Sequence, residues 1–549
     1  MSRPQASQGR HSFGRSLFTV SGLTILSRVG GFVRDTLTAM FLGAGPVADA
    51  FFVAQRLPNL FRSLFAEGAF SAAFVPLYTT EQQRNGSEAA QEFAGEALAM
   101  LLAILIPFSA VLMFFMPYVM RVLAPGFEED PVKYDLAVKF SLITFPYLTL
   151  ISITALQSGV LNARGRFGPG AAAPIALNIV LIAGLFIAHF LHLDVGYTLA
   201  WALTVSGLVQ MLWLALSCWR AGVSIPLMWP HLTAASRRLF RRVGPGSVGA
   251  GAAQINLLIS TSLASRLATG AVSWLFYADR LNQLPLGIVG IAVATTLLPR
   301  LSRHVEAGEE EDVRHFTSRA IEFCLLLGLP ATVGLGIAAR PIIQTLFEHG
   351  AFSPMDTTAT AEALGAYALG IPAFLLVKVF ASSFFARHDT ATPVKIAFIA
   401  MTVNVLGSVL MLGPLQHIGI ALANSLAVWV NAILLYAKLR PMRGAIGDTR
   451  LRRTAPRLIL SALVMSAVTF ALMRGLEGFF MGQHFAKQII GLGLIIGFSS
   501  LAYGLMLQLT SAMRLSDVRK ILESRGSKSP KATEAAKTAE AIEDMDRAP

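Results

Sequence analysis

The chain has 549 residues, of which 54% are hydrophobic and only 14% charged, against roughly 25% charged in soluble globular domains, so a water-borne fold is excluded. Lys and Arg outnumber Asp and Glu by 45 to 32, for a net charge of +13, but no polar domain of useful length presents that charge to nucleic acid. The two cysteines, Cys218 and Cys324, lie in unrelated apolar segments, which argues against both a disulfide framework and a thiolate metal cluster.

Residues 1–16 carry Arg3, Arg10 and Arg15 with no small-residue cleavage site behind a short apolar core. They are expected to stay in place as a cytoplasmic N-terminus. Apolar stretches of membrane-spanning length, about 20 residues each, follow at 17–42, 48–78, 93–120, 135–161, 169–192 and 196–219. A basic connection at 220–243 leads to a second series at 244–268, 271–298, 316–338, 357–385, 394–414 and 416–437. After the loop 438–455 come two more spans, 456–475 and 486–511, and a polar tail, 512–549, expected to be disordered. The predicted fold is therefore an all-α polytopic membrane protein of about fourteen transmembrane helices. Lys and Arg concentrate at the N-terminus, in the even-to-odd connections and in the tail, which predicts that both termini are cytoplasmic.

The two series resemble each other at an offset of six spans. Ala54-Gln55-Arg56-Leu57-Pro58 in span two is matched by Ala278-Asp279-Arg280-Leu281 in span eight. Phe145-Pro146, Arg164, Pro174 and Asn178 are matched by Ile371-Pro372, Arg387, Pro393 and Asn404. Six is even, so the halves would cross the membrane in the same sense as two parallel-related six-helix lobes, 17–219 and 244–437, with 456–511 added. Such lobes suggest rocking around a central substrate site.

An arginine within the bilayer costs at least about 2.5 kcal/mol, yet Arg28, Arg34, Arg56, Arg62 and Arg280 all fall in spans. Arg28, Arg34, Arg62 and Arg280 point to a hydrated cavity for a phosphate or pyrophosphate, whose oxygens fit the guanidinium fork. Asp35, Asp49, Glu67 and Asp279 are the available counter-charges, and pairs with them would instead latch the lobes. Arg56 and Lys378 are open between ligand contact and a latch. No nucleophile-base pair and no metal-ligand spacing stands out, so neither an enzyme nor a metal cofactor is expected.

Ser27-Arg28-Val29-Gly30-Gly31-Phe32-Val33-Arg34-Asp35, Ala48-Asp49-Ala50-Phe51-Phe52, Leu57-Pro58-Asn59-Leu60-Phe61-Arg62 and Phe65-Ala66-Glu67-Gly68 follow one another in order. With Ser273-Trp274, Tyr277-Ala278-Asp279-Arg280-Leu281 and Thr392-Pro393-Val394-Lys395, they closely resemble the MurJ (MviN) family of lipid II flippases, of the multidrug/oligosaccharidyl-lipid/polysaccharide exporter fold. The resemblance implies a bacterial inner-membrane protein that moves an undecaprenyl-pyrophosphate-linked peptidoglycan precursor to the periplasmic leaflet by alternating access. It implies that Arg28, Arg34, Arg62 and Arg280 are the family's cavity cations and that Ser27, Asp49, Glu67 and Ser273 are neighbouring functional positions. With the charge reading, Ser27 and Ser273 join the arginines as expected substrate-binding residues, and Asp35, Asp49, Arg56, Glu67, Asp279 and Lys378 are the expected gating or charge-pairing residues. The family's lysine in the second span is Arg56 here. The last two spans resemble the pair that forms a groove for the polyprenyl tail. Lipid II, membrane lipids and other cell-wall synthesis or division proteins are the implied partners. A coupled ion or the membrane potential would supply the energy. The alternatives are a same-fold exporter of another polyprenyl-linked glycan or amphipathic drug, and a non-transporting cell-wall scaffold.

Overall fold

The computed structural model describes residues 6–65, 69–231, 233–442, 447–482 and 484–512. Glu67 and the polar tail beyond 512 lie outside the described residues. Those described form seventeen α-helices and two short 3-10 turns, with no strand among them. Among the described residues, nine segments are long and apolar enough to cross a membrane.

Hydropathy marks the bilayer rather than the helix, so several helices outrun their apolar stretches. Helix α1 spans Ala6–Leu42 and therefore begins within the expected N-terminal segment. Helix α9, Ala234–Ala264, starts ten residues before the expected 244, where the Thr233 side chain accepts a hydrogen bond from the Ser236 N–H. Helix α10, Ala271–Glu306, continues past 298 until the left-handed Gly308.

Two other expectations split or merge. Span 135–161 is broken at Phe145-Pro146 into α5 (Pro131–Thr144) and α6 (Tyr147–Ala163). Span 357–385 is broken beside Pro372 into α13 (Pro354–Ala368) and α14 (Ile371–Phe385), because a proline ring removes a helix donor. Conversely, α3 (Ala69–Phe114) and α15 (Ala391–Leu439) each contain a non-helical residue, Gly86 and Gln416. Phe74 stacks on Phe93 across the first break, with ring centroids 5.6 Å apart. A Cβ on Gly419 would lie 2.5 Å from the Met411 carbonyl across the second. Both are helical hairpins.

The order of elements repeats. Helix α2 (Pro46–Phe65) packs on α5 as α10 packs on α13, and α3 packs on α6 as α11 (Glu310–Ile337) packs on α14. Helix α7 (Gly168–Phe190) covers α1 just as α15 covers α9. The matched asparagines serve the same packing: Asn178 donates to the Ser27 carbonyl at 2.9 Å, and Asn404 donates to Asn256 of α9 at 2.8 Å. Short helices α4 (Met116–Leu123) and α12 (Ala339–Phe347) then lead into loops that cross between the halves. A Cβ on Gly126 would lie 2.2 Å from the Ser265 carbonyl, and one on Gly350 would lie 2.3 Å from that of Met40. Only glycine permits either approach.

Helix α8 (Val195–Arg220) completes the first half against α6 and α7. Helices α16 (Thr449–Gly475) and α17 (Phe485–Leu509) pack on each other and against α11 and α12. The repeat is broken in one place. Helix α9 packs along α2 and α3, whereas α1 has no comparable packing along α10, and the space between α1 and α10 is a cavity.

Candidate substrate cavity and its latch

The cavity has a volume of about 640 Å³, within the roughly 300–1,000 Å³ typical of small-ligand sites. Helix α1 contributes Arg28, Arg34 and Asp35, α10 contributes Asp279 and Arg280, and α14 contributes Lys378. Four cations thus face two carboxylates.

The carboxylates do not neutralise the cations evenly. Asp35 accepts from Arg34 at 2.6 and 3.0 Å, and Asn178 holds the third arm of the same guanidinium at 3.0 Å. Arg280 reaches Asp35 only at 3.7 Å, so the α1–α10 pair is the looser of the two. Its guanidinium instead lies 4.6 Å from the ring centroid of Phe276, which stacks on Phe52 of α2 at 3.9 Å. Arg28 and Lys378 make no ion pair among the described residues. The guanidinium of Arg28 rests so close to α10 that a Cβ on Gly287 would fall 2.0 Å from its Nη1. Lys378 lies 5.2 Å from the Phe374 ring. Two cations are therefore open to an anion and a third is weakly held.

Arg56 lines a second, smaller cavity of about 220 Å³ together with Asp279, Gln283, Asn256, Ser260 and Thr261. Asp279 accepts from Gln283 and borders both cavities. Arg62 is half-buried and is not among the residues lining either cavity.

Asp49 does different work. It is fully buried in the first turn of α2, where it accepts from Lys133 of α5 at 2.8 Å, from the N–H groups of Gly270 and Ser273 at 2.8 and 2.9 Å, and from the Ser273 hydroxyl at 2.7 Å. One carboxylate thus ties α2 and α5 to the start of α10. Nearby, Tyr277 donates to the Gly43 carbonyl at 3.1 Å, and Ala351 N–H donates to the Met40 carbonyl at 2.8 Å. The two halves are latched at this end. Ser273 accordingly belongs to the latch, not to the cavity wall, and Ser27 contributes its backbone carbonyl to Asn178.

The sequence does not mark Lys133, Asn178, Phe276 or Gly287 as site residues, nor Tyr367, which lines both cavities. Asn178 was visible as a repeat match, whereas Lys133 reads locally as an ordinary residue beside the Asp130 cap. The α10–α11 turn also draws His304, Glu309 and Asp312 together. Both carboxylates there are exposed.

Two halves of repeated element order around a polar cavity are the fold of the multidrug-exporter type. A solved structure described as the inward-facing conformation of a multidrug resistance MATE family transporter aligns with a TM-score of 0.66 at 14% identity, covering 77% of this chain and 97% of that one. One described as lipid II flippase MurJ, inward closed conformation, aligns with a TM-score of 0.74 at 24% identity, covering 89% and 98%. The probable lipid II flippase MurJ of Rhizobium meliloti (strain 1021) is 44% identical over 466 residues, 84% of this chain and 86% of its own length. The sequence profile described as Lipid II flippase MurJ matches residues 38–489. The chain belongs to the lipid II flippase MurJ family, a family of transporters rather than enzymes.

Proposed function

We propose that this protein flips lipid II from the cytoplasmic to the periplasmic leaflet of the bacterial inner membrane by alternating access, with the diphosphate bound in the cavity between α1 and α10. The observation that carries this reading is the excess of cations around 640 Å³ of open space, where pairing to carboxylates leaves Arg28 and Lys378 available. A diphosphate offers oxygens to two guanidinium forks at once, and Arg28 and Arg280 approach it from opposite helices. Arg34, fixed by Asp35 and Asn178, sets the field without turning. Arg62, Ser27 and Glu67 keep the family's roles as part of this proposal.

Fourteen crossings follow if the α3 and α15 hairpins count as separate limbs and α1, α9 and α10 cross as well. With the basic connections inside, both termini are cytoplasmic and the latched end is periplasmic. The lobes are 17–219 and 244–437. A cavity of about 320 Å³ between α11 and the α16–α17 pair, lined by residues such as Leu335, Met465, Ile495 and Ile496, suits an isoprenoid tail left in the lipid phase. Diphosphate binding lowers the repulsion between cationic faces, so it favours whichever state brings them together. The membrane potential acting on the bound charge, or a coupled ion, drives the cycle.

The test is a leaflet-accessibility assay for lipid II after depletion of the native copy. Arg28→Ala and Arg280→Ala proteins should insert normally yet leave lipid II inside, with transport reduced at least about tenfold, the loss of one charge-assisted pair. Normal transport by both variants defeats the cavity assignment. Export of an unrelated amphipathic drug in competition with lipid II in vesicles would favour the multidrug reading.

A further inference from the structure

A further cationic cavity, sharing no residue with the two that Asp279 borders, lies where α16 begins and α17 ends. Its volume is about 390 Å³, and it is lined by Thr449, Arg450, Arg453, Thr454 and Arg457 of α16, closed by Ser511 and Ala512. Offsets of three and four residues put the three guanidiniums on one helix face within a rise of about 10 Å. Like charges so placed repel one another, and among the described residues they are poorly compensated. Arg450 is 3.7 Å from Glu322, a carboxylate already engaged by Arg319. Among the described residues, Arg457 donates only to the Ser511 carbonyl, at 3.3 Å. Arg453 makes no ion pair among the described residues.

The depth of this cavity says what kind of anion fits. Ile459, Leu460 and Leu463 are exposed immediately beyond Arg457, and Leu505 and Leu509 are exposed immediately before Ser511. The apolar surface of both helices therefore stops at the level of the arginines, where a bilayer changes from acyl chain to headgroup. We propose that this cavity binds the phosphate of an anionic glycerophospholipid, with Arg453 and Arg457 forking its oxygens and the acyl chains lying along the exposed leucines and isoleucines. Bound there, the lipid bridges α16 to the end of α17.

Full-length protein in neutral detergent would be titrated with short-chain phosphatidylglycerol, short-chain phosphatidylcholine or inorganic phosphate, with the thermal unfolding midpoint as readout. Phosphatidylglycerol should raise the midpoint saturably and the other two should not. The double variant Arg453→Gln, Arg457→Gln should bind roughly tenfold more weakly, and the Lys double variant several-fold more weakly, because ammonium groups lack the fork. If the Gln variant is unstable without lipid, the Lys variant decides, and unchanged affinity there overturns the proposal. An equal response to phosphatidylcholine overturns it too. A matching response to inorganic phosphate shows a soluble-anion site and overturns the lipid assignment.

Discussion

Under the proposed function, Arg28 is a residue placed for the ligand and not for stability. Its guanidinium occupies space that only a glycine at 287 leaves free. Gly287→Ala should therefore turn Arg28 away cheaply, because the colliding atom is the end of a flexible side chain. The expected result is a protein within about 1 kcal/mol of wild-type stability but with impaired lipid II transport, read by pairing thermal unfolding with the leaflet assay; wild-type transport would show that the position of Arg28 is immaterial. Asp49 is the opposite case. It accepts four hydrogen bonds at a fully buried position, and Asp49→Ala leaves the buried Lys133 ammonium uncompensated. That variant should lose about 3–5 kcal/mol, the cost of stranding one partner of a buried pair, measurable as a lowered midpoint in detergent. A midpoint unchanged from wild type would mean that water replaces the latch. Both aspartate and arginine were legible as intramembrane charges, but their division of labour was not, since Asp35 and Asp49 look alike until their partners across the chain are known.

At the scale of elements, α16 is held to α11 by a compact ionic knot. Asp448 caps α16 by accepting from the Leu451 N–H at 2.7 Å and also accepts from Arg319, which pairs with Glu322. Burial acts to raise the Asp448 carboxyl, but the Leu451 N–H and Arg319 outweigh it and hold it below the usual carboxylate range. A depressed folded-state value stabilises above the unfolded value of about 4, and that contribution disappears as pH falls through the folded value. Acid titration of the thermal midpoint should thus be steeper in wild type than in Asp448→Asn; coincident slopes would remove the knot from the account. Helix boundaries belong to the same scale. Hydropathy located α9 and α10 but not their ends, because Thr233 and Gly308 decide where the backbone starts and stops, outside the apolar stretch.

For the whole molecule, the relevant fact is that the repeat is kept at the latched end and abandoned at the cavity. Gly126 against Ser265 and Gly350 against Met40 are pseudo-equivalent contacts that close one end from both sides. Further along, α9 seals against α2 and α3 while α1 stands off from α10. A rocking mechanism requires the latch to open. With the buried Cys218 and Cys324 replaced by serine, Met40→Cys with Ala351→Cys should cross-link under mild oxidation, since their backbones are hydrogen-bonded at 2.8 Å. Transport should stop on oxidation and return with reductant. Continued transport by the fully cross-linked protein would exclude opening at this end.

Composition and hydropathy by themselves determined that this is a helical membrane protein, because runs of apolar residues can satisfy their backbone only as helices in lipid. The ordered motifs around Arg28, Asp49 and Arg280 determined its family, and the weak six-span echo foretold the repeated packing of α2 on α5 and α10 on α13. What only the tertiary structure decided is which charges are spent on one another. Arg34 and Asp35 are neighbours in sequence, but Asp49 meets Lys133 and Ser273 across 84 and 224 residues, and Arg28 meets Gly287 across the two halves. Coulomb interactions depend on distance and burial rather than on order along the chain, so the split between latch and cavity exists only once the halves are packed.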